Sequence, residues 1–264
     1  MRPKYSLGQN FLKNPGIVDK IIHFSEVSRE DTILEIGPGT GALTARLLED
    51  ASEVIAVEKD DVLAAKLKEQ FESFSTFKLL HGDILETDLQ SILRDNTKVV
   101  ANLPYNIATN VILRLADIPE KLRAAVVMVQ KEVALRICSH AGQKDYSALS
   151  AILSSVFDCV PGFIVGPKNF YPEPKVDSMV IKLIPKEAPL PKDDRDGYKK
   201  VVFCAFGQRR KMLKNSLMNL PGVTKDLLAE IGNSSGISLE RRPQELSWEE
   251  FYRLSRTCRR LAIS

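Results

Sequence analysis

The sequence predicts an α/β protein: a mostly parallel sheet of seven strands, the last of them antiparallel, followed by a small all-helical C-terminal domain. Three observations predict it. Short β-rich apolar runs alternate with longer helical patterns through the first 185 residues, which is the mark of βαβ units. One of those runs ends in a glycine loop that opens a helix. A proline-rich segment, Pro185–Pro191, then separates this part from a remainder whose patterns are helical throughout.

Expected strands are Thr32–Ile36, Val54–Glu58, Thr76–Leu80, Lys98–Ala101, Ala125–Val129, Asp158–Val165 and Ser178–Ile184. Helical stretches fall near Gly41–Glu49, Asp60–Phe71, Ile107–Leu115 and Lys131–Ser139. Only the loop Gly166–Lys175 separates the last two strands, too little for a helical crossover, so they should pair antiparallel. Three prolines in seven residues keep Pro185–Pro191 out of helix and central strand and make it an expected linker. Beyond it, helices are expected at Tyr198–Phe206, Arg210–Leu217, Lys225–Ile231 and Trp248–Leu261, giving domains 1–188 and 189–264.

Composition narrows the class. With 264 residues, 44% hydrophobic and 27% charged, the chain is neither disordered nor collagen-like nor disulfide-rich. No apolar run approaches the ~20 residues of a membrane span, and no apolar stretch follows Met1–Ser6 as in a secretory signal. Cys138, Cys159, Cys204 and Cys258 form no C-x-x-C pair and read as reduced, mostly buried thiols of a cytoplasmic protein. Charge is uneven: residues 1–188 carry 22 Lys+Arg against 25 Asp+Glu, and residues 189–264 carry 15 against 9. A basic tail suits a polyanionic partner, or equally a solvated surface.

The strongest local feature is Ile33-Leu34-Glu35-Ile36-Gly37-Pro38-Gly39-Thr40-Gly41. Glycines let the backbone turn sharply and approach a ligand closely. The spacing is G-x-G-x-G and departs from the pyrophosphate-binding G-x-G-x-x-G. Glu58 ends the second strand, placed to accept from ribose hydroxyls; Asp83 follows the third, placed to accept from an adenine amino group; Asn102 follows the fourth. Singly, Glu58 or Asp83 could as well be a helix cap or turn acid. Together with Gly37 they mark the carboxyl ends of adjacent strands, where open α/β sheets bind ligands, and describe a pocket for an adenosine.

Asn102-Leu103-Pro104-Tyr105 is the second motif, similar to the N/D-P-P-Y/F signature of enzymes that methylate exocyclic amines. The amino nitrogen of adenine is a poor nucleophile because its lone pair is delocalised. Acceptors on the Asn102 side chain and the Leu103 carbonyl would draw that lone pair out of conjugation, a stabilisation by fixed dipoles. Pro104 would hold the carbonyl direction and Tyr105 would stack on the base. The plain alternative is an Asn-Pro turn with a core tyrosine. The histidines His23, His81 and His140 have no spacing suited to a shared metal.

Nearly end to end, the chain resembles the KsgA/RsmA family of small-subunit rRNA adenine N6-dimethyltransferases. The matching segments are Ser6–Leu12, Glu35–Gly41, Asn102–Ile107, Met128–Val133, Phe170–Ser178, Gln208–Lys211 and Arg242–Leu246. The resemblance implies a Rossmann-like class I methyltransferase sheet using S-adenosyl-L-methionine. It implies that Asn10 and Leu12 lie over the cofactor, with Gly37, Glu58, Asp83 and Asn102 as its other contacts. Tyr105 and Phe170 would sandwich the target adenine, as suits a flipped or single-stranded base. It implies a substrate of two neighbouring adenosines in a hairpin loop near the 3′ end of small-subunit rRNA, each methylated twice within the 30S particle during subunit biogenesis. A cytoplasmic monomer with no metal and no membrane partner is expected.

Departures from the family pattern are Ala108 in place of Ser, Leu135 in place of an acid, and Ser147 in place of glycine. The basic run Arg209-Arg210-Lys211, expected to open a helix, would neutralise RNA phosphates; a solvated helix face is the alternative. Three rivals stand beside this reading: an erythromycin-resistance-type enzyme acting on large-subunit rRNA, a non-catalytic RNA-binding assembly factor, and a nicotinamide-dependent oxidoreductase, which the G-x-G-x-G spacing disfavours.

Overall fold

The computed structural model describes residues 8–261, so Ser6 and Leu7 of the N-terminal motif lie outside the described residues. A two-residue strand β1 (Phe11–Leu12) precedes helix α1 (Pro15–Ser25). There follow β2 (Thr32–Ile36), α2 (Ala42–Asp50), β3 (Glu53–Glu58), α3 (Asp61–Gln70), β4 (Phe77–His81), a short α4 (Leu89–Ile92), β5 (Thr97–Asn102), α5 (Ala108–Leu115), β6 (Leu122–Gln130) and α6 (Lys131–Ile137). Next come α7 (Ala148–Ser154), β7 (Phe157–Val165), β8 (Phe170–Tyr171) and β9 (Ser178–Pro185). The C-terminal helices are α8 (Arg195–Phe206), α9 (Leu213–Leu217), α10 (Lys225–Ser235) and α11 (Trp248–Arg260).

Seven strands form one mixed sheet in the order β4-β3-β2-β5-β6-β9-β7. The inner strands β2, β3, β5 and β6 pair parallel, and β9 enters antiparallel to β6. Their Val, Ile, Leu and Ala side chains are buried nearly throughout, as strands covered on both faces must be. The order reverses between β2 and β5, which opens a crevice at their carboxyl ends. Beneath the opposite ends, buried Asp31 pairs with Lys98 (2.8 Å) and Arg123 (3.2 Å).

Two compact units divide the chain, one holding residues up to 134 together with 159–185, the other 135–158 together with 186 onward. The first unit ends at Pro185 and the second resumes at Lys186, and the segment 135–158 groups with the C-terminal helices. Buried contacts explain why. The Tyr146 ring meets Phe206 edge-on at 5.8 Å and its hydroxyl donates to the Leu246 carbonyl, while Tyr198 donates to the Ala151 carbonyl. Ser147 caps α7 with Ser150 in a reciprocal box at extended φ, so this departure from glycine has a structural use. The proline-rich segment is no free tether: Lys186 and Leu190 donate main-chain N–H groups to Val156 and Ser155, and Leu190 is buried.

Two expectations are corrected. Arg209-Arg210-Lys211 does not open a helix; it lies in a turn between α8 and the five-residue α9, which begins only at Leu213. Nor are all four cysteines thiols: Cys138 and Cys159 are disulfide-bonded, whereas Cys204 and Cys258 are free. Among the described residues no helix is long and apolar enough to cross a membrane.

Candidate active site

The crevice is built from the strand ends inward. Where β2 gives way to α2, Gly37, Gly39 and Gly41 all take positive φ (64°, 61° and 82°). A Cβ on Gly41 would lie 2.8 Å from the Phe71 ring, so this position needs glycine for space as well as for backbone conformation. The N–H groups of the three glycines are committed within the protein. Gly37 donates to Val57 O, Gly41 to Pro38 O, and Gly39 to Glu58 Oε2 at 3.1 Å. A pyrophosphate cradle uses such donors, and here the three glycines have spent theirs on the protein.

Glu58, at the end of β3, is buried and also accepts from Asp60 N–H at 2.9 Å. The helix-cap role belongs instead to Asp60, whose Oδ1 accepts from Val62 and Leu63 N–H. Burial raises the Glu58 carboxyl, against the lowering effect of its main-chain donors, Asp60 and Gly39 foremost. Asp83, just beyond β4, holds the Leu85 N–H with one oxygen and the Lys59 ammonium with the other at 2.6 Å. The bond from Lys59 keeps its carboxyl below the usual range. Asp83 is thus a turn acid and a pocket acid at once.

Asn102 closes β5. Its Nδ2 donates to the Asn10 carbonyl at 3.0 Å, which directs Oδ1 away from that carbonyl and leaves it as an acceptor. The Leu103 N–H is used by Met128 O, which pins the following turn to β6. Half-buried Tyr105 is held at its hydroxyl by Ser178 Oγ, 2.6 Å away at the start of β9. From the N-terminal side, β1 pairs antiparallel with β8, bringing Asn10 and buried Leu12 to the crevice and laying the Phe11 ring against Gly39.

One cavity joins Asn10, Leu12, Gly37, Glu58, Asp83, Asn102, Leu103 and Tyr105. Phe170 is not part of its lining. It is 0% exposed, in register with Leu12 and packed in the core with Met128 and Val180, while its neighbour Tyr171 is 58% exposed. Strand alternation sends one of the two rings inward, and it is Phe170. Of the two rings that the resemblance sets on either side of an adenine, Tyr105 lines the cavity and Phe170 is turned into the core. Arg209, Arg210 and Lys211 lie in the other compact unit, exposed, with Arg209 donating to the Lys144 carbonyl.

Two pocket residues, Glu35 and Lys59, and Ser178 behind Tyr105 escaped the sequence reading. Glu35, a lone acid in the apolar strand β2, is 1% exposed, and its Oε2 has no hydrogen-bond partner. A charge-bearing residue inside an otherwise apolar strand was its signal. Lys59 adjoins Glu58 in sequence, but its pairing to Asp83 is not readable there. Ser178 carried no local signal. The pocket as a whole is rich in acids, with Glu35, Glu58 and Asp83 set against Lys59 alone among its ionisable lining residues. It fits a cationic adenosine derivative: acceptors for ribose and adenine, and a buried carboxyl oxygen without a hydrogen-bond partner for positive charge. Among the described residues no group of three His, Cys, Asp or Glu side chains is arranged to hold a metal.

A family model described as ribosomal RNA adenine dimethylase matches residues 1–258. The chain is similar to the ribosomal RNA small subunit methyltransferase A of Geobacter metallireducens, 39% identical over 262 residues that cover 97% of this chain and 95% of the relative. The same-named protein of Clostridium acetobutylicum is 38% identical over 252 residues, covering 94% and 91%. Among solved structures, a dimethyladenosine transferase from Plasmodium falciparum superposes with a TM-score of 0.77 at 26% identity, covering 96% of this chain and 98% of that one. The 23S rRNA methyltransferase ErmE superposes at 0.69 with 23% identity over 94% and 99%, a likeness of fold.

Proposed function

The chain belongs to the ribosomal RNA adenine dimethylase family, and on that premise we propose that it dimethylates N6 of two adjacent adenosines in a hairpin loop near the 3′ end of small-subunit rRNA. The substrate is the 30S particle, the setting is small-subunit biogenesis, and the enzyme is a cytoplasmic monomer. The observation that carries this reading is the anchored Asn102 amide. With Nδ2 tied to Asn10 O, the amide presents a fixed acceptor at the rim of a pocket rich in acids that suits a cation.

S-adenosyl-L-methionine, when bound, supplies a methyl group on a positively charged sulfur. Glu58 would hold its ribose, Asp83 its adenine amino group, and Gly37 its close approach, with Asn10 and Leu12 covering it. Asn102 Oδ1 and the Leu103 carbonyl accept the two N–H groups of the target amine and localise its lone pair on nitrogen. Pro104 keeps that carbonyl in place, and Tyr105, braced by Ser178, offers its ring to the base. Such a transfer requires in-line approach and little acid–base work, so positioning supplies most of the rate. Phe170 reaches the base only by leaving the core; in its buried position it packs with Leu12 in one apolar cluster. Arg209, Arg210 and Lys211 neutralise RNA phosphates.

Two observations weigh against the rivals. The committed glycine N–H groups disfavour a dinucleotide oxidoreductase. The relatives at 38–39% identity bear a small-subunit name, whereas the large-subunit enzyme is similar at the level of fold. The test is mass mapping of rRNA from cells with and without the protein. Dimethyladenosine in the small-subunit RNA that disappears with the gene is expected. Loss of a large-subunit modification, or no loss at all, would overturn the reading.

A further inference from the structure

Glu58 and Asp83 each hold main-chain N–H groups, but Glu35 Oε2 is buried at the floor of the same pocket without a partner. An ionised carboxylate in that position has no counter-charge beside it. The groups around it make this plain. On β3 the neighbouring acid is Glu58, with Asp60 beyond it; past β4 lies Asp83, already matched by Lys59. From α2 comes the Thr44 side chain, while Arg46 of that helix is paired with Asp19 and Glu49. Lys98 of β5 is bonded to Asp31 at the far end of the sheet, and Tyr105 is neutral. Burial above all, opposed by the Thr44 hydroxyl and reinforced by the charge of Glu58, pushes the Glu35 carboxyl up to about 8, so the free protein holds it protonated at neutral pH.

We infer that Glu35 is a cofactor-binding residue that surrenders its proton when the positively charged methionine end of the cofactor enters, so that each binding event releases a proton to solvent. The inference rests on the cofactor reading above. The carboxyl O–H bond breaks, the proton passes to bulk buffer, and the new carboxylate pairs with the incoming cation. One positive charge thus replaces another in a buried site. That exchange avoids both an unpaired buried carboxylate in the free state and an unmatched cation in the complex. It also selects against neutral adenosine compounds, which offer nothing to drive the proton out.

The test is titration calorimetry of the full chain with S-adenosylmethionine at pH 7, in buffers of different ionisation enthalpy, with adenosine as the comparison ligand. Release of about 0.9 proton per cofactor is expected, close to zero for adenosine and close to zero for the cofactor with Glu35→Gln. Wild-type affinity should rise nearly tenfold per pH unit between about pH 6 and 7 and level off above about pH 8, whereas the variant should stay flat. Cofactor binding with no net proton release would overturn the inference and leave the cofactor assignment standing. So would release that persists in Glu35→Gln, or that adenosine matches. Failure of the wild-type chain to bind the cofactor at all would instead remove the proposed function. The adenosine comparison uses the unmodified chain, so the outcome does not depend on the variant folding.

Discussion

The Tyr105 hydroxyl lies 2.6 Å from Ser178 Oγ, a bond that joins the turn after β5 to the start of β9 across 73 residues of sequence. Ser178 is fully buried and pairs in register with Gln130 of β6. The ring proposed to stack on the target base is thereby clamped to the sheet as well as to its own turn.

Removing either hydroxyl should therefore have one consequence. Ser178→Ala and Tyr105→Phe are each expected to lower kcat/KM for small subunits by roughly fivefold to tenfold, the worth of one lost hydrogen bond. The double variant should be no worse than either single one. Steady-state kinetics on all three decides it, and losses that multiply would show the two hydroxyls acting apart.

Acid stability should report Asp31. Burial by itself would raise this carboxyl, but bonds from Lys98 and Ser28 outweigh it and hold the group below its ordinary value. A depressed folded-state value means the contribution is fully present above the unfolded value near 4 and is lost as pH falls through the lower, folded one. Asp31→Asn should flatten the acid limb of Tm against pH. At pH 7 it should cost about 3 kcal/mol in urea unfolding, because Lys98 stays buried without its counter-charge. Parallel acid limbs in wild type and variant would assign the acid transition to other groups.

Gly41 tests close packing in the loop. Gly41→Ala meets both a positive φ and the Phe71 ring and should cost about 2–3 kcal/mol. Gly142 has nearly the same φ, 84°, with nothing near its missing Cβ, so Gly142→Ala should cost only about 1 kcal/mol. Equal losses in denaturant titrations would assign the whole effect to the backbone and none to Phe71.

The basic turn is testable by salt. Replacing Arg209, Arg210 and Lys211 by Ala should weaken binding to small subunits and lower the slope of log K against log salt by about 2. An unchanged slope would return the run to plain solvation.

The parts of the fold and pocket that were legible are those encoded locally. A glycine loop after β2 and the polar residues at the ends of β3, β4 and β5 each declare themselves within a few residues, and the register of parallel strands brings them together. Helix α1 was missed even though Asn14 caps it and Pro15 opens it, both readable signals. What stayed hidden is nonlocal. A two-residue strand such as β1 has no periodicity, and its pairing to β8 across more than 150 residues decides that Phe170 points inward. The grouping of 135–158 with the C-terminal helices rests on Tyr146 and Tyr198 hydrogen bonds, equally invisible in the sequence. The turn at Arg209–Lys211 deceives because arginine and lysine are good helix formers.

Methyl transfer by Asn102→Ala is the most direct measurement of the central claim, that a fixed amide oxygen activates the target amine. Unmethylated small subunits and labelled S-adenosylmethionine would be followed in a single turnover, with cofactor affinity measured in parallel. The expected result is a rate lower by roughly 10²–10³ with cofactor affinity changed less than about tenfold. Incorporation at the wild-type rate would contradict it.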